Sequence, residues 1–281
     1  MLRVNRRRRP APPPREAAAV RPGLAFPPLL RALRPLQWTK NALVLAALVF
    51  AEQLFRLEPA LRGVLAAAVF CAVSGAVYLL NDLRDIAADR VHPKKRHRPI
   101  AAGLVSPARA GAAAVLLVAA AVLGAGLLGA GFLAVVLGYV ALMVAYSYGL
   151  KRLAILDVFA IAAGFVLRAA GGAVAIDVPV SPWLYVCTML LALFLGFGKR
   201  RHELTSLAGA AAAHRANLAA YSVPLLDQLI GVVASATVMA YAFYTFDAPN
   251  VPGNHAMMLT VPFVLYAIFR YLAEPTKSLR D

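Results

Sequence analysis

A multi-span, all-α membrane bundle is the fold class this sequence predicts, and three observations predict it. The 281 residues are 61% hydrophobic and only 15% charged, with a mean hydropathy of +0.70. Soluble domains are about half apolar and one quarter charged, so this charge complement cannot cover a water-facing surface. Uncharged runs recur at the length of a bilayer crossing, about 20 residues. Between them, basic residues gather on alternate connections only.

The net charge of +16 would in a soluble protein suggest nucleic acid. Sorted as it is here, it fits a lipid bilayer instead, and no nucleic-acid partner is expected. Cys71 and Cys187 each lie inside an apolar run. They read as small hydrophobes rather than as a disulfide or a metal site.

Taken in order, residues 1–33 are dense in Pro and Arg and lack the apolar core of a signal peptide. They predict a disordered, basic cytoplasmic arm. Residues 34–281 then form one transmembrane catalytic domain. Residues 38–55 are a first, weakly apolar span, and 63–80 a second without any charge. The uncharged stretch between Arg109 and Lys151 is too long for one crossing. Glycines 124, 126, 129 and 131 supply the turn that divides it in two. Further spans are read at 158–176, 183–198, 228–246 and 256–272, the last containing Pro262 and Arg270. The total is eight.

With the N-terminus in the cytoplasm, 26 of the 29 Lys and Arg residues fall on inside segments. Arg56 and Arg62 fall outside, and Arg168 lies within a span. The alternation never fails, which predicts a multi-pass protein of the inner membrane. Two long inside loops, 81–108 and 199–220, are left to carry chemistry.

The first follows the second span as YLLNDLRDIAADRVHPKKRHRPIAAG. On a continuous helix, with Asp82 at zero, Asp89 lies at about −20°, Asp85 at about −60° and Asn81 at about −100°. Three carboxylates and an amide on one stripe repel one another unless a cation neutralises them. Hard oxygen ligands of this kind suit Mg²⁺. Asn81, Asp82, Asp85 and Asp89 are therefore the expected metal set. Lys94, Lys95, Arg96 and Arg98 follow at once. Carboxylates for a metal beside cations for phosphate match a diphosphate substrate, with Lys95 and Arg98 as contacts.

Asp157 and Arg168 are eleven residues apart, within about 20° of one helical face, with Arg168 roughly 16 Å deeper. A charge at such depth is costly and should face a polar cavity. Two expectations stand side by side: contact with substrate or a buried carboxylate, and a structural ion pair to another helix.

The run NDLRDIAADR followed by RPIAAG resembles the aspartate-rich signature of the UbiA superfamily of intramembrane prenyltransferases. RPLQWTKN at 34–41 resembles the start of that family's first helix, which makes Lys40 and Asn41 candidate substrate contacts. The resemblance covers residues 34–281. It implies a helical bundle around a central cavity, with Mg²⁺ holding a diphosphate donor at the cytoplasmic mouth. Where aromatic prenyltransferases carry a second aspartate-rich motif, this chain has GKRRHEL, with Lys199, Arg200 and Glu203. With YSYGLKRLAILDVFAIAAGFVLRAAGG and HRANLAAYSVPLLDQLI, that motif is similar to the decaprenyl-phosphate phosphoribosyltransferase branch.

That branch moves phosphoribose from 5-phosphoribosyl 1-diphosphate to a polyprenyl phosphate on the way to cell-wall arabinose donors. A second and third phosphate call for more cations, which fits Lys199 and Arg200 in place of aspartates. In the family's Tyr-x-x-x-Lys element, either Tyr146 or Tyr148 stands before Lys151 as the site-facing tyrosine. The family has nine helices, and this sequence stops at EPTKSLRD, near where a ninth would start. A shortened C-terminus is therefore expected.

The lipid phosphate is ionised at neutral pH, so attack on ribose C1 needs no strong general base. Two other readings remain. One is a prenyltransferase using a prenyl diphosphate donor. The other is a transporter or scaffold, which the gathering of polar residues at one membrane face and the lack of an internal repeat disfavour.

Overall fold

Lipid tails are as apolar as leucine, so helices inside a bilayer associate through close packing of small residues rather than through hydrophobic burial. One helix here is built for that role. In the computed structural model, which describes residues 26–93, 95–180, 182–206, 216–247 and 254–273, Leu156–Ala175 is 61% buried over its apolar window. Pro107–Leu128, which packs on Leu57–Arg84 and Ala130–Tyr148 instead, is 22% buried. Leu57–Arg84, Ala130–Tyr148, Pro182–Ser206 and the segment 35–50 pack directly on it.

In chain order the helices are α1 (Pro28–Ala32), α2 (Ala46–Phe50), α3 (Leu57–Arg84), α4 (Ile86–Val91), α5 (Pro107–Leu128) and α6 (Ala130–Tyr148). Then follow α7 (Leu156–Ala175), α8 (Pro182–Ser206), α9 (Val223–Asp247) and α10 (Val261–Ala273). No strand occurs among the described residues. Among the described residues seven helical segments are long and apolar enough to cross a membrane, the last being Ala256–Ala273. They correspond to seven of the eight expected spans, and the chain is a multi-pass membrane protein.

The eighth differs in kind. Hydropathy predicts an ordinary spanning helix over 38–55, but Pro35–Leu45 is a 3₁₀ helix that passes into the short α2. A 3₁₀ helix rises about 2.0 Å per residue against about 1.5 Å for an α-helix. The two pieces together therefore reach roughly 30 Å, the thickness of the hydrocarbon core. Close packing explains the irregular form: a Cβ on Gly172 of α7 would lie 1.9 Å from the carbonyl oxygen of Val44. Only a glycine lets the two backbones touch there.

The turn inside the long uncharged stretch falls at Gly129, whose φ of +112° favours glycine. Arg62, at the start of α3, donates to the carbonyls of Ala175 (2.6 Å) and Leu128 (3.3 Å). It thereby ties the beginning of α3 to the ends of α7 and α5, as an up-and-down bundle requires. The acidic motif and the basic motif at the end of α8 consequently share the opposite end. Phe70 packs edge-on against Phe132 and Tyr139 between α3 and α6. A second core joins α7, α8 and α9 around Phe194, Phe197 and Leu226.

Two expectations concern the termini. Within the arm predicted for 1–33, Pro28–Ala32 is helical and Ala32 is buried against Leu79 and Ile100. Proline in the first turn of a helix loses no hydrogen bond, which permits this short helix in a Pro-rich segment. Residues 1–25 and 274–281 lie outside the described residues, as do Lys94 and much of the loop after GKRRHEL.

Candidate active site

At the motif end a cavity of about 980 Å³ opens between the 3₁₀ segment, α3, α6, α7 and α8. Among the described residues, nine of its lining side chains are Lys or Arg and three are acidic. Lys40, Asn81, Asp82, Asp85, Lys95, Arg98, Tyr146, Lys151, Arg168, Lys199, Arg200 and Glu203 all line it. Asn41, Asp89 and Asp157 are buried behind the wall.

The acidic motif is not one continuous stripe. Helix α3 ends at Arg84, and Asp85 takes φ −96° and ψ 12° before α4 begins. This bridge-region backbone, common at active-site residues, divides the three carboxylates. Asp82 is buried, its Oδ1 accepting from Arg34 (2.6 Å) and Arg98 (3.1 Å). Its Oδ2 is also buried and has no hydrogen-bond partner. Asp89 turns to Arg98, which donates to its Oδ2 at 2.7 Å. Asp85 is half-exposed on the rim, 3.8 Å from the Lys151 ammonium. Among the described residues no three His, Cys, Asp or Glu side chains converge as a ready metal cage. The expectation of one continuous stripe is thereby corrected: the break at Asp85 leaves Asn81, Asp82 and Asp85 on the cavity and turns Asp89 to Arg98.

The basic motif is organised in the opposite sense. Arg200 is 2% exposed. Its Nε donates to Asp157 Oδ2 at 2.7 Å, and the same guanidinium pairs with Glu203. Asp157 also accepts from the Tyr221 hydroxyl at 2.8 Å, and that hydroxyl accepts from the Ile155 N–H at 2.6 Å. Burial, with Asp157 alongside, holds the Tyr221 phenol well above its ordinary range, so it keeps its proton and remains a donor. Ile155 is β-branched yet has φ +68°, a rare conformation that this bond fixes in place. Asp157 thus positions Arg200 rather than facing the cavity. Lys199, one residue earlier, points into it. Arg201 pairs with Asp227, tying α8 to α9.

Arg168 lies at the deep end. Its Nε donates to Asn41 Oδ1 (2.8 Å), Nη1 to the Gly164 carbonyl (2.8 Å) and Nη2 to the Tyr139 hydroxyl (2.7 Å). The guanidinium stands 4.7 Å from the Tyr139 ring centre. Asn41 is held in turn by Ser74. Every partner is neutral, so the expected pairing with a buried carboxylate or an interhelical ion pair is absent among the described residues. The Tyr146/Tyr148 alternative also resolves: Tyr146 lines the cavity, whereas Tyr148 is 66% exposed beneath Arg84.

Four residues of the site are not singled out by sequence. Arg34 adopts φ +56°, binds Asp82 and covers the Tyr78 ring at 4.7 Å. Its place immediately before Pro35 is the available signal. Tyr78 precedes Asp82 by four residues, one turn along the same face of α3. Tyr139 sits in a span without charge, where one phenol invites the question of its partner. Tyr221 has no local signal, because its partners lie 64 and 66 residues away.

The UbiA prenyltransferase family matches residues 42–278 of the chain. Decaprenyl-phosphate phosphoribosyltransferase of Mycobacterium tuberculosis is 35% identical over 250 residues, covering 88% of this chain and 82% of that protein. The enzyme of the same name from Corynebacterium glutamicum is 38% identical over 252 residues, covering 87% and 76%. Among solved structures, a UbiA homolog from Archaeoglobus fulgidus bound to GPP and Mg²⁺ superposes with a TM-score of 0.68 at 19% identity, over 87% of this chain and 85% of that one.

Proposed function

From the chain's membership of the UbiA prenyltransferase family, as a membrane transferase acting on a polyprenyl phosphate, we propose that it transfers 5-phosphoribose from phosphoribosyl diphosphate to that lipid, releasing diphosphate. The observation that carries this is the balance of nine cations to three acids around one cavity. A phosphate monoester brings a charge of about −2 at neutral pH. A diphosphate, a sugar phosphate and a lipid phosphate together would outweigh the acids and match the surplus of cations. A prenyl diphosphate alone would leave much of that surplus buried without a counterion.

Mg²⁺ fits the mouth of the cavity. Asp82 Oδ2 is buried without a partner, and Asp85 stands on the rim beside it, with Asn81 on the same wall. An ion shared by Asp82 and Asp85 would take its remaining ligands from substrate phosphate and water, as Mg²⁺ commonly does. When bound, it would neutralise charge on the diphosphate as that group departs.

The protein's own side chains account for the other requirements. Arg34, Lys95, Arg98 and Lys151 surround the leaving diphosphate, with Arg98 held in register by Asp89. Lys199 meets a phosphate on the α8 side, steadied by the locked Arg200. The lipid phosphate oxygen attacks ribose C1 as the C1–O bond to diphosphate breaks, and the leaving group takes the electron pair. The nucleophile is already anionic, so positioning and electrostatics supply the rate. The arrangement fits an inner-membrane protein with this mouth in the cytoplasm, where phosphoribosyl diphosphate is the available donor, and a role in building cell-wall arabinose donors.

Incubating purified protein with ribose-labelled phosphoribosyl diphosphate, a polyprenyl phosphate and Mg²⁺ tests the reading. Label should move into the lipid phase. If it stays in water while a labelled prenyl diphosphate is consumed with an aromatic acceptor, the prenyltransferase reading replaces this one.

A further inference from the structure

The chain enters α7 through a strained backbone turn. Ile155 has φ +68° and ψ −54°, and the Leu156 N–H donates to the Ala154 carbonyl at 2.8 Å. Three residues closed in this way form a γ-turn of the uncommon hand, which crowds a β-branched side chain. Such a conformation persists only where its surroundings hold it, and it gathers at functional sites. Here the hold is a phenol: the Ile155 N–H donates to the Tyr221 hydroxyl at 2.6 Å. The 3₁₀ turn Leu150–Arg152 lies just before and puts Lys151 and Arg152 on the cavity wall. It packs against Ala216–Ala220, the segment immediately before Tyr221. The same hydroxyl donates to Asp157 Oδ1 at 2.8 Å, and the other oxygen of that carboxylate accepts from Arg200 at 2.7 Å. One oxygen atom therefore stands a single bond from the turn behind Lys151 and two bonds from Arg200.

We infer that Tyr221 is a positioning residue for the transfer reaction, its hydroxyl setting the Lys151–Arg152 turn and Arg200 together. The inference rests on the proposed function and adds to it the residue that couples two walls of the mouth. Tyr221 is buried and does not line the cavity, so it acts only through the groups it holds. A phenol suits the place, because one atom both accepts and donates while the ring is anchored in the core between α8 and α9. Without the hydroxyl, the Ile155 N–H loses its acceptor, and the turn relaxes towards an ordinary conformation. Lys151 and Arg152, four and three residues earlier, then shift with it. Arg200 keeps Glu203, but Asp157 is left free to turn. A displacement of about 1 Å in a positioned group is enough to lower a rate by about 100-fold.

Tyr221→Phe keeps the ring and removes only the hydroxyl. On the full chain in nanodiscs with Mg²⁺, it should weaken binding of inorganic diphosphate by about tenfold, the scale of one hydrogen bond to a charged group. In a Lys151→Met background the same substitution should weaken it by less than about threefold, since the group it positions is gone. Glycine adopts positive φ freely, so adding Ile155→Gly to Tyr221→Phe should recover about threefold. A phenol that merely fills the core would show neither the coupling nor the rescue. Undiminished diphosphate binding in Tyr221→Phe, an equal loss with and without Lys151, or no recovery with glycine would overturn the inference. Amide exchange on the unmodified protein covers the case in which Tyr221→Phe does not fold. Ile155 is 39% exposed, so protection of its amide depends on the phenol. It should exchange about 100-fold more slowly than an open amide, and exchange at the open rate would overturn the inference. Phosphoribosyl transfer by the unmodified protein is scored separately. Transfer with diphosphate binding indifferent to Tyr221 sinks only this inference. Tyr221-dependent binding without transfer sinks only the functional reading, because a prenyl donor carries the same diphosphate.

Discussion

The two charged motifs at the cavity mouth are mirror images. At the end of α3, buried carboxylates are held by cations: Asp82 by Arg34 and Arg98, and Asp89 by Arg98. On α8 a buried cation is held by carboxylates: Arg200 by Asp157 and Glu203. Burying a charge without a partner costs several kcal/mol, so each motif uses its inner residues to neutralise itself. On the acidic side Asp82 Oδ2 is left without a hydrogen-bond partner; on the basic side Lys199 has no carboxylate at ion-pair distance among the described residues. Density of charge in a motif is therefore a poor guide to which residue meets substrate.

The comparison breaks most visibly at its buried anchor. Asp157→Ala leaves Arg200 with Glu203 alone and removes the acceptor of the Tyr221 hydroxyl, and should lower stability by about 3 kcal/mol, read as a fall in melting temperature in detergent. An unchanged melting temperature would show that Arg200 finds another partner or water. Asp85→Asn is the reverse case, a rim residue whose ion pair contributes about 1 kcal/mol or less. Its melting temperature should hold while turnover falls by about 100- to 1,000-fold, the scale of removing one group that stabilises developing charge. Turnover within a few-fold of the parent would remove Asp85 from the site. Lys199→Met is the smallest effect, with KM for the donor raised by about tenfold and the fold intact. If Arg200→Lys instead raised KM without loss of stability, the two residues would have to exchange roles.

Much of this architecture is legible in the amino-acid order alone. Hydropathy marks the spans because the bilayer fixes their length, and charge sorting follows the same geometry. The chain turns at Gly129, where a glycine cluster allows it. The first span reads as an α-helix and is not one, because hydropathy does not register the close contact between Gly172 and Val44 that draws the chain into a 3₁₀ form. Helical angles place Asp89 with Asp82, and the side chains do meet, but through Arg98 rather than on a shared cavity face. Asp85 breaks the helix, and no local propensity announces that. The links from Asp157 to Arg200 and Tyr221 span 43 and 64 residues. Pairings at that separation come from tertiary packing and leave no periodic trace.

The central claim is that the acidic motif is divided, with Asp82 and Asp85 serving a divalent ion and Asp89 serving Arg98. Anomalous diffraction from crystals grown with Mn²⁺ and phosphoribosyl diphosphate tests it most directly. The account predicts a metal peak within bonding distance of the Asp82 and Asp85 carboxylates, with Asp89 still paired to Arg98. A peak coordinated by Asp89, or a metal-free pocket with donor bound by cations alone, would contradict it.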